Sequence, residues 1–95
     1  MLRVRVRYFA YAREVVNLSE EIIELVDHST VLDLLKLLIN QHESLKDYIF
    51  DKKTGTPAPY LQFMVDDNVI SKLNGFETSL RTDSTFSIIP PVGGG

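Results

Sequence analysis

Cysteine is absent from this chain of 95 residues. Disulfides and thiolate zinc sites are therefore excluded, and with them the oxidised scaffolds of small secreted domains. No run approaches the roughly 18–20 apolar residues that a membrane-spanning helix needs. The opening Met1-Leu2-Arg3-Val4-Arg5 also lacks the apolar core of a secretory signal. Basic charge is scarce. Ten Lys and Arg against thirteen Asp and Glu leave a net charge of −3, which gives no electrostatic case for a nucleic-acid partner. No membrane partner is expected either, and the chain reads as a soluble cytoplasmic protein. Glycine is limited to five residues, yet three of them stand together as Gly93-Gly94-Gly95. What is plentiful is apolar side chain, at 44% of residues, enough to fill the core of one small domain.

Catalytic machinery is missing as well. A nucleophile with its base and orienting group, or metal ligands at suitable spacing, would mark an enzyme, and neither pattern occurs. His28 and His42 stand apart from any His, Cys or acidic ligand pattern. They read as a loop residue before a helix and a residue favoured by a helix C-terminus. Asp66-Asp67 reads as a turn, since the calcium-loop pattern is absent. Gly55 and Gly75 are single turn glycines, and no glycine motif is followed by a helix that could cradle a phosphate. The aromatic residues Tyr8, Phe9, Tyr11, Phe63 and Phe86 fall within or beside strands, where packing is expected.

Along the chain, Leu2, Val4, Val6 and Tyr8 alternate with Arg3, Arg5 and Arg7, the period of a half-buried strand at 2–8. The arginines are expected on a solvated face, paired with acids. Residues 9–16 suit a short helix stopped by Asn17. A second strand at 20–27 can set Glu20, Glu21 and Glu24 across from the arginines as an antiparallel neighbour. Ser29 or Thr30 can cap a long helix whose Val31, Leu34, Leu35, Leu38 and Ile39 form one apolar stripe. It should end near His42 or Glu43, with one more turn at 45–50. Asp51 to Pro59 reads as an exposed loop, 60–65 as a third strand closed by Asp66-Asp67-Asn68, and 85–89 as the last strand. The expected architecture is α+β, one mixed sheet curled over one long helix, with the first and last strands as parallel central neighbours joined through that helix.

Pro90-Pro91-Val92-Gly93-Gly94-Gly95 then ends the sequence. Two prolines stop a strand's ladder and hold the chain extended, and the glycines after them have no Cβ to obstruct a narrow channel. Residues 1–89 are thus expected to form the domain, and 90–95 a flexible tail reaching roughly 15–20 Å. Its free carboxylate would become a good acyl donor only after activation, for example as an acyl-adenylate.

The chain resembles the MoaD/ThiS sulfur carriers, proteins with a ubiquitin-like β-grasp fold, and the MoaD branch in particular. The likeness rests on Val4-Arg5-Val6-Arg7-Tyr8-Phe9-Ala10 with Arg13-Glu14, on Thr30-Val31 with the leucine-rich helix, on Leu73-Asn74-Gly75 with Leu80, and above all on Ile89-Pro90-Pro91-Val92-Gly93-Gly94-Gly95. Asp83-Ser84 stands where the family often has Gly-Asp, and the 51–59 loop is longer than in compact members. The resemblance implies a carrier rather than an enzyme, with Gly95 and Gly94 as the acyl-carrier terminus. An E1-like adenylating enzyme would charge Gly95 with MgATP, no cofactor being held by the chain itself. A sulfur donor would convert it to a thiocarboxylate, and the tail would enter the large subunit of molybdopterin synthase. Phe9, Leu73 and Ile89, with Pro90, Pro91, Val92 and Gly93, would meet these partners. The alternative use of the same activated tail is an isopeptide bond to lysines of target proteins.

Overall fold

Alternation builds the centre of the sheet. β1 (Leu2–Arg7) buries Val4 and Val6 completely and turns its arginines outward, and Tyr8 continues the buried row. The computed structural model describes residues 1–91, so the expected tail positions Val92, Gly93, Gly94 and Gly95 lie outside the described residues. After β1 comes α1 (Ala10–Val16), stopped by Asn17 at a left-handed φ of 64° whose N–H donates to the carbonyl of Arg13. Asn tolerates that conformation, which is why it can end a helix. β2 (Glu20–Leu25) runs back antiparallel to β1, in the register Arg3↔Glu24 and Arg7↔Glu20.

The long helix α2 (Val31–Gln41) starts with a reciprocal cap. The Asp33 N–H donates to Thr30 Oγ1 at 3.3 Å and the Thr30 N–H donates to Asp33 Oδ2 at 2.9 Å. These bonds satisfy two amide groups that the first turn would otherwise leave free. The stripe Val31, Leu34, Leu35 and Leu38 is fully buried, each side chain contributing about 1.5–3 kcal/mol relative to exposure. A 3-10 turn at Glu43–Leu45 and the single turn α3 (Lys46–Ile49) follow and add Leu45 and Ile49 to the core.

The 51–59 segment departs from the solvated loop expected of it. Its tip is exposed, but Phe50 bridges Pro57 and the Ala58 N–H donates to the Ile49 carbonyl, which draws Ala58 into the core. The third strand is correspondingly shorter than its apolar run, β3 (Gln62–Val65), with Leu61 buried ahead of it. β4 (Asn68–Val69) pairs back through the two-residue turn Asp66-Asp67, both at positive φ (49° and 68°). Such residues match the twist of a tight hairpin.

Two 3-10 turns, Ile70–Lys72 and Gly75–Glu77, lead to a stretch that ties down the start of α2. There the Val31 N–H donates to the Thr78 carbonyl and the Leu80 N–H to that of Ser29. Asp83, at φ 68°, makes the left-handed step before β5 (Thr85–Ile89). The sheet order is β2-β1-β5-β3-β4, with β1 and β5 parallel at Arg5↔Thr85 to Arg7↔Ser87 and the other pairs antiparallel. Helices cover the face carrying Val4, Val6, Phe63, Val65, Phe86 and Ile88, and the opposite face is open. This is the ubiquitin-like β-grasp arrangement that the resemblance implies.

Candidate functional site

β5 delivers the chain to Pro90 and Pro91, so the surroundings of that exit define the candidate site. In the ladder Ile89 stands beside Gln62, Ser87 beside both Met64 and Arg7, and Met64 beside Val69. All of these belong to the open face, because their neighbours Phe63, Phe86 and Ile88 point into the core. Continuing the β1–β5 register by two residues sets Phe9 opposite Ile89 on the same face. Ala10, at a left-handed φ of 50°, then turns the chain away into α1 and leaves Phe9 at the rim.

Phe9 and Ile89, nominated from the sequence, therefore stand on one face where the chain leaves the sheet, both half-buried. Leu73 is 40% exposed on the turn after β4, in a segment joined to this edge through Val69. Met64 and Val69 extend the apolar end of the face and were not singled out from the sequence. The alternation Phe63-Met64-Val65 carried the signal, since it sends Met64 to the opposite side from its two buried neighbours. A groove of about 670 Å³ flanks Pro90 and Pro91, walled by Pro57, Tyr60, Ile70 and Phe76. Val92, Gly93, Gly94 and Gly95 lie outside the described residues.

The arginine row differs from its expected pairing. Arg5 Nε lies 3.5 Å from Glu20 Oε2, whereas Arg3 and Arg7 have no carboxylate oxygen within 4.0 Å among the described residues. The guanidinium carbon of Arg7 sits 5.2 Å from the centre of the Phe9 ring. Tyr11 also departs from the packing expected of it, being about half exposed on α1, where it meets the Tyr48 ring at 4.9 Å. Burial first, then the neighbouring Tyr60 and Tyr11, pushes the Tyr48 phenol above its usual range.

His42 caps the C-terminus of α2, the place expected of it, and there it also meets an acid that the sequence did not indicate. Its Nε2 lies 2.6 Å from Glu21 Oε2, which also accepts from the Tyr8 hydroxyl at 2.5 Å. Burial, then the hydrogen bond to Glu21 and that residue's charge, push the Tyr8 phenol well above its usual range. This cluster joins the end of β1 to β2 and the C-terminus of α2. His28 lies in the loop before α2, at φ 72°. No group of three potential metal ligands occurs among the described residues, and no helix among them is long and apolar enough to cross a membrane.

Comparison with known proteins agrees with this geometry. The model of the ThiS family matches residues 6–95. The chain is 28% identical over 94 residues to small archaeal modifier protein 3 of Haloferax volcanii, covering 99% of this chain and 100% of that protein. Its structure is similar to that of small archaeal modifier protein 1 from Methanosarcina acetivorans, with a TM-score of 0.88 and 30% identity over 100% of this chain and 98% of the other. A Pyrococcus furiosus protein provisionally named molybdopterin converting factor subunit 1 shares the fold, at a TM-score of 0.79 and 24% identity over 97% and 100% of the two chains.

Proposed function

The chain belongs to the ThiS family, and on that premise we propose that it is a sulfur carrier protein acting through its terminal glycine. The Gly95 carboxylate attacks the α-phosphorus of MgATP in an E1-like adenylating enzyme, forming the acyl-adenylate and releasing pyrophosphate. A sulfide-level donor then attacks the acyl carbon, AMP leaves, and the thiocarboxylate results. The sulfur has to ride on this acyl group, because the chain has no cysteine to carry it. As small subunit of a molybdopterin synthase, the carrier would insert its tail into the large subunit and pass sulfur to the pterin precursor.

The observation that carries this reading is the exit of β5. Two prolines stop the ladder beside Phe9, Ile89 and Met64, so a partner that seats on the open face stands where it can also take the tail. Residues 1–89 supply the docking body in this proposal and 90–95 the arm. Phe9, Leu73, Ile89, Pro90 and Pro91 supply contacts, continued by Val92 and Gly93.

The names of the two archaeal modifier proteins favour a second reading, conjugation. There a lysine amine of a target protein attacks the same acyl-adenylate, an amide forms, and AMP leaves. Both readings share the activation step and diverge at the nucleophile. Incubation with the adenylating enzyme, ATP and a sulfur source, followed by intact mass spectrometry, is expected to show one oxygen replaced by sulfur at Gly95. No exchange would count against carriage. After tryptic digestion, lysines of other proteins carrying the 82–95 remnant, which begins after the last basic residue Arg81, would then assign conjugation.

A further inference from the structure

Three arginines stand in one row on the open face of a chain whose net charge is −3. The strands on one side of that row, β5 and β3, contribute Thr85, Ser87, Ile89, Gln62 and Met64 to the face and no acid at all. On the other side, β2 places Glu24 opposite Arg3 and Glu20 opposite Arg7. Asp83 shares a pocket with Arg3 and Arg5 at the end far from the exit. Glu20 reaches toward Arg5 and not toward Arg7. Within the row Arg7 thus stands nearest the exit, and it makes neither an ion pair nor a side-chain hydrogen bond with the described residues.

Its neighbour Phe9 gives it a seat instead, the Cζ lying 5.2 Å from the ring centre. An aromatic face attracts a guanidinium through its quadrupole. It occupies none of the five N–H donors, whose fork matches a carboxylate. Because Arg7 is placed before any partner arrives, less side-chain freedom is lost on binding.

We propose that Arg7, seated on Phe9 and seconded by Arg5, anchors a carboxylate on an acidic surface of the adenylating enzyme that charges the tail. The proposal rests on the carrier reading above and names the chemistry of the surface that reading requires. Charge selects this occupant. A second copy seated on the acid-free side of the face, against β5 and β3, would bring one Arg7 toward another, which is repulsive, whereas an acidic surface is attracted to Arg7 and steered by it.

The test uses the full chain and the E1-like enzyme of the same cell, with ATP–pyrophosphate exchange as readout. Arg7→Glu is expected to raise the KM for the carrier about tenfold at low salt, and to raise it more than it lowers kcat. The wild-type KM should climb with ionic strength, and that of R7E should climb less. Arg7→Lys, which keeps the charge and loses the fork, should fall between the two. Lys36→Glu makes the same change of charge on an exposed position of α2, in the helical layer, and should match wild type.

A KM for R7E within about twofold of wild type, with retained salt dependence, would overturn the proposal. So would an effect of R7E on the KM for ATP alone, which would assign the arginine to phosphate, or a dimer of the free chain abolished by R7E, which would assign the face to a second copy. If wild type supports exchange and R7E equals it, only this inference falls. If wild type supports none, the carrier reading falls with it.

Discussion

Glu21 Oε2 accepts from both the Tyr8 hydroxyl and His42 Nε2, so one carboxylate oxygen holds three elements together at the end of β1. Tyr8→Phe removes one of these bonds and keeps the ring. The expected cost is about 1–2 kcal/mol, the range for a hydrogen bond to a partly screened charged acceptor, read by urea unfolding at pH 7. The pH dependence has a defined sign. The folded phenol titrates above its ordinary value of 10.0, so its contribution is complete below that value and is lost as the pH rises past it. The gap between wild type and Y8F should therefore narrow above pH 10.0. None of this was legible in the sequence. Residues 8, 21 and 42 lie just past β1, within β2 and just past α2, and their meeting is set by how α2 crosses the sheet.

At the scale of elements, local chemistry was legible to within a residue or two. The cap of α2 was expected at Ser29 or Thr30 and falls on Thr30, because capping depends only on neighbouring positions, while its reciprocal bond with Asp33 came from the structure. Thr30→Ala should cost about 1 kcal/mol in thermal or urea unfolding at neutral pH. The backbone bond from Thr30, then the one from its side chain, holds the Asp33 carboxyl below its ordinary value of 3.8. That contribution is present above the ordinary value and disappears as the pH falls through the depressed one, so Asp33→Asn should destabilise at pH 7 and much less near pH 2. Strand β5 and the tight turn Asp66-Asp67 were equally plain, since alternation and turn residues are local signals. The 51–59 loop is exposed over most of its length, as expected, and departs from the expectation only at Ala58, for the converse reason. Its composition is polar, but one backbone bond from Ala58 to Ile49 pulls its end inward, and a sequence carries no mark of which loop residue will be so held.

For the whole molecule, body and arm are expected to be separable. Deleting Gly94 and Gly95 should leave the melting temperature within about a degree, because glycines add no side chain to a core. The same deletion should abolish adenylation, and both quantities can be measured on one preparation. By itself the sequence determined the periodicities, the cap region of α2 and the proline-glycine run 90–95, since each depends on residues close together in the chain. It also anticipated that β1 and β5 would run side by side, because two apolar runs with buried faces have to be central. Only the tertiary structure decided which side chains share a surface. The register carries Phe9 to Ile89, adds Met64 and Val69 to them, gives Glu20 to Arg5 and leaves Arg7 free among the described residues. Neighbours across a sheet are fixed by strand pairing between distant segments, and no local pattern encodes that pairing.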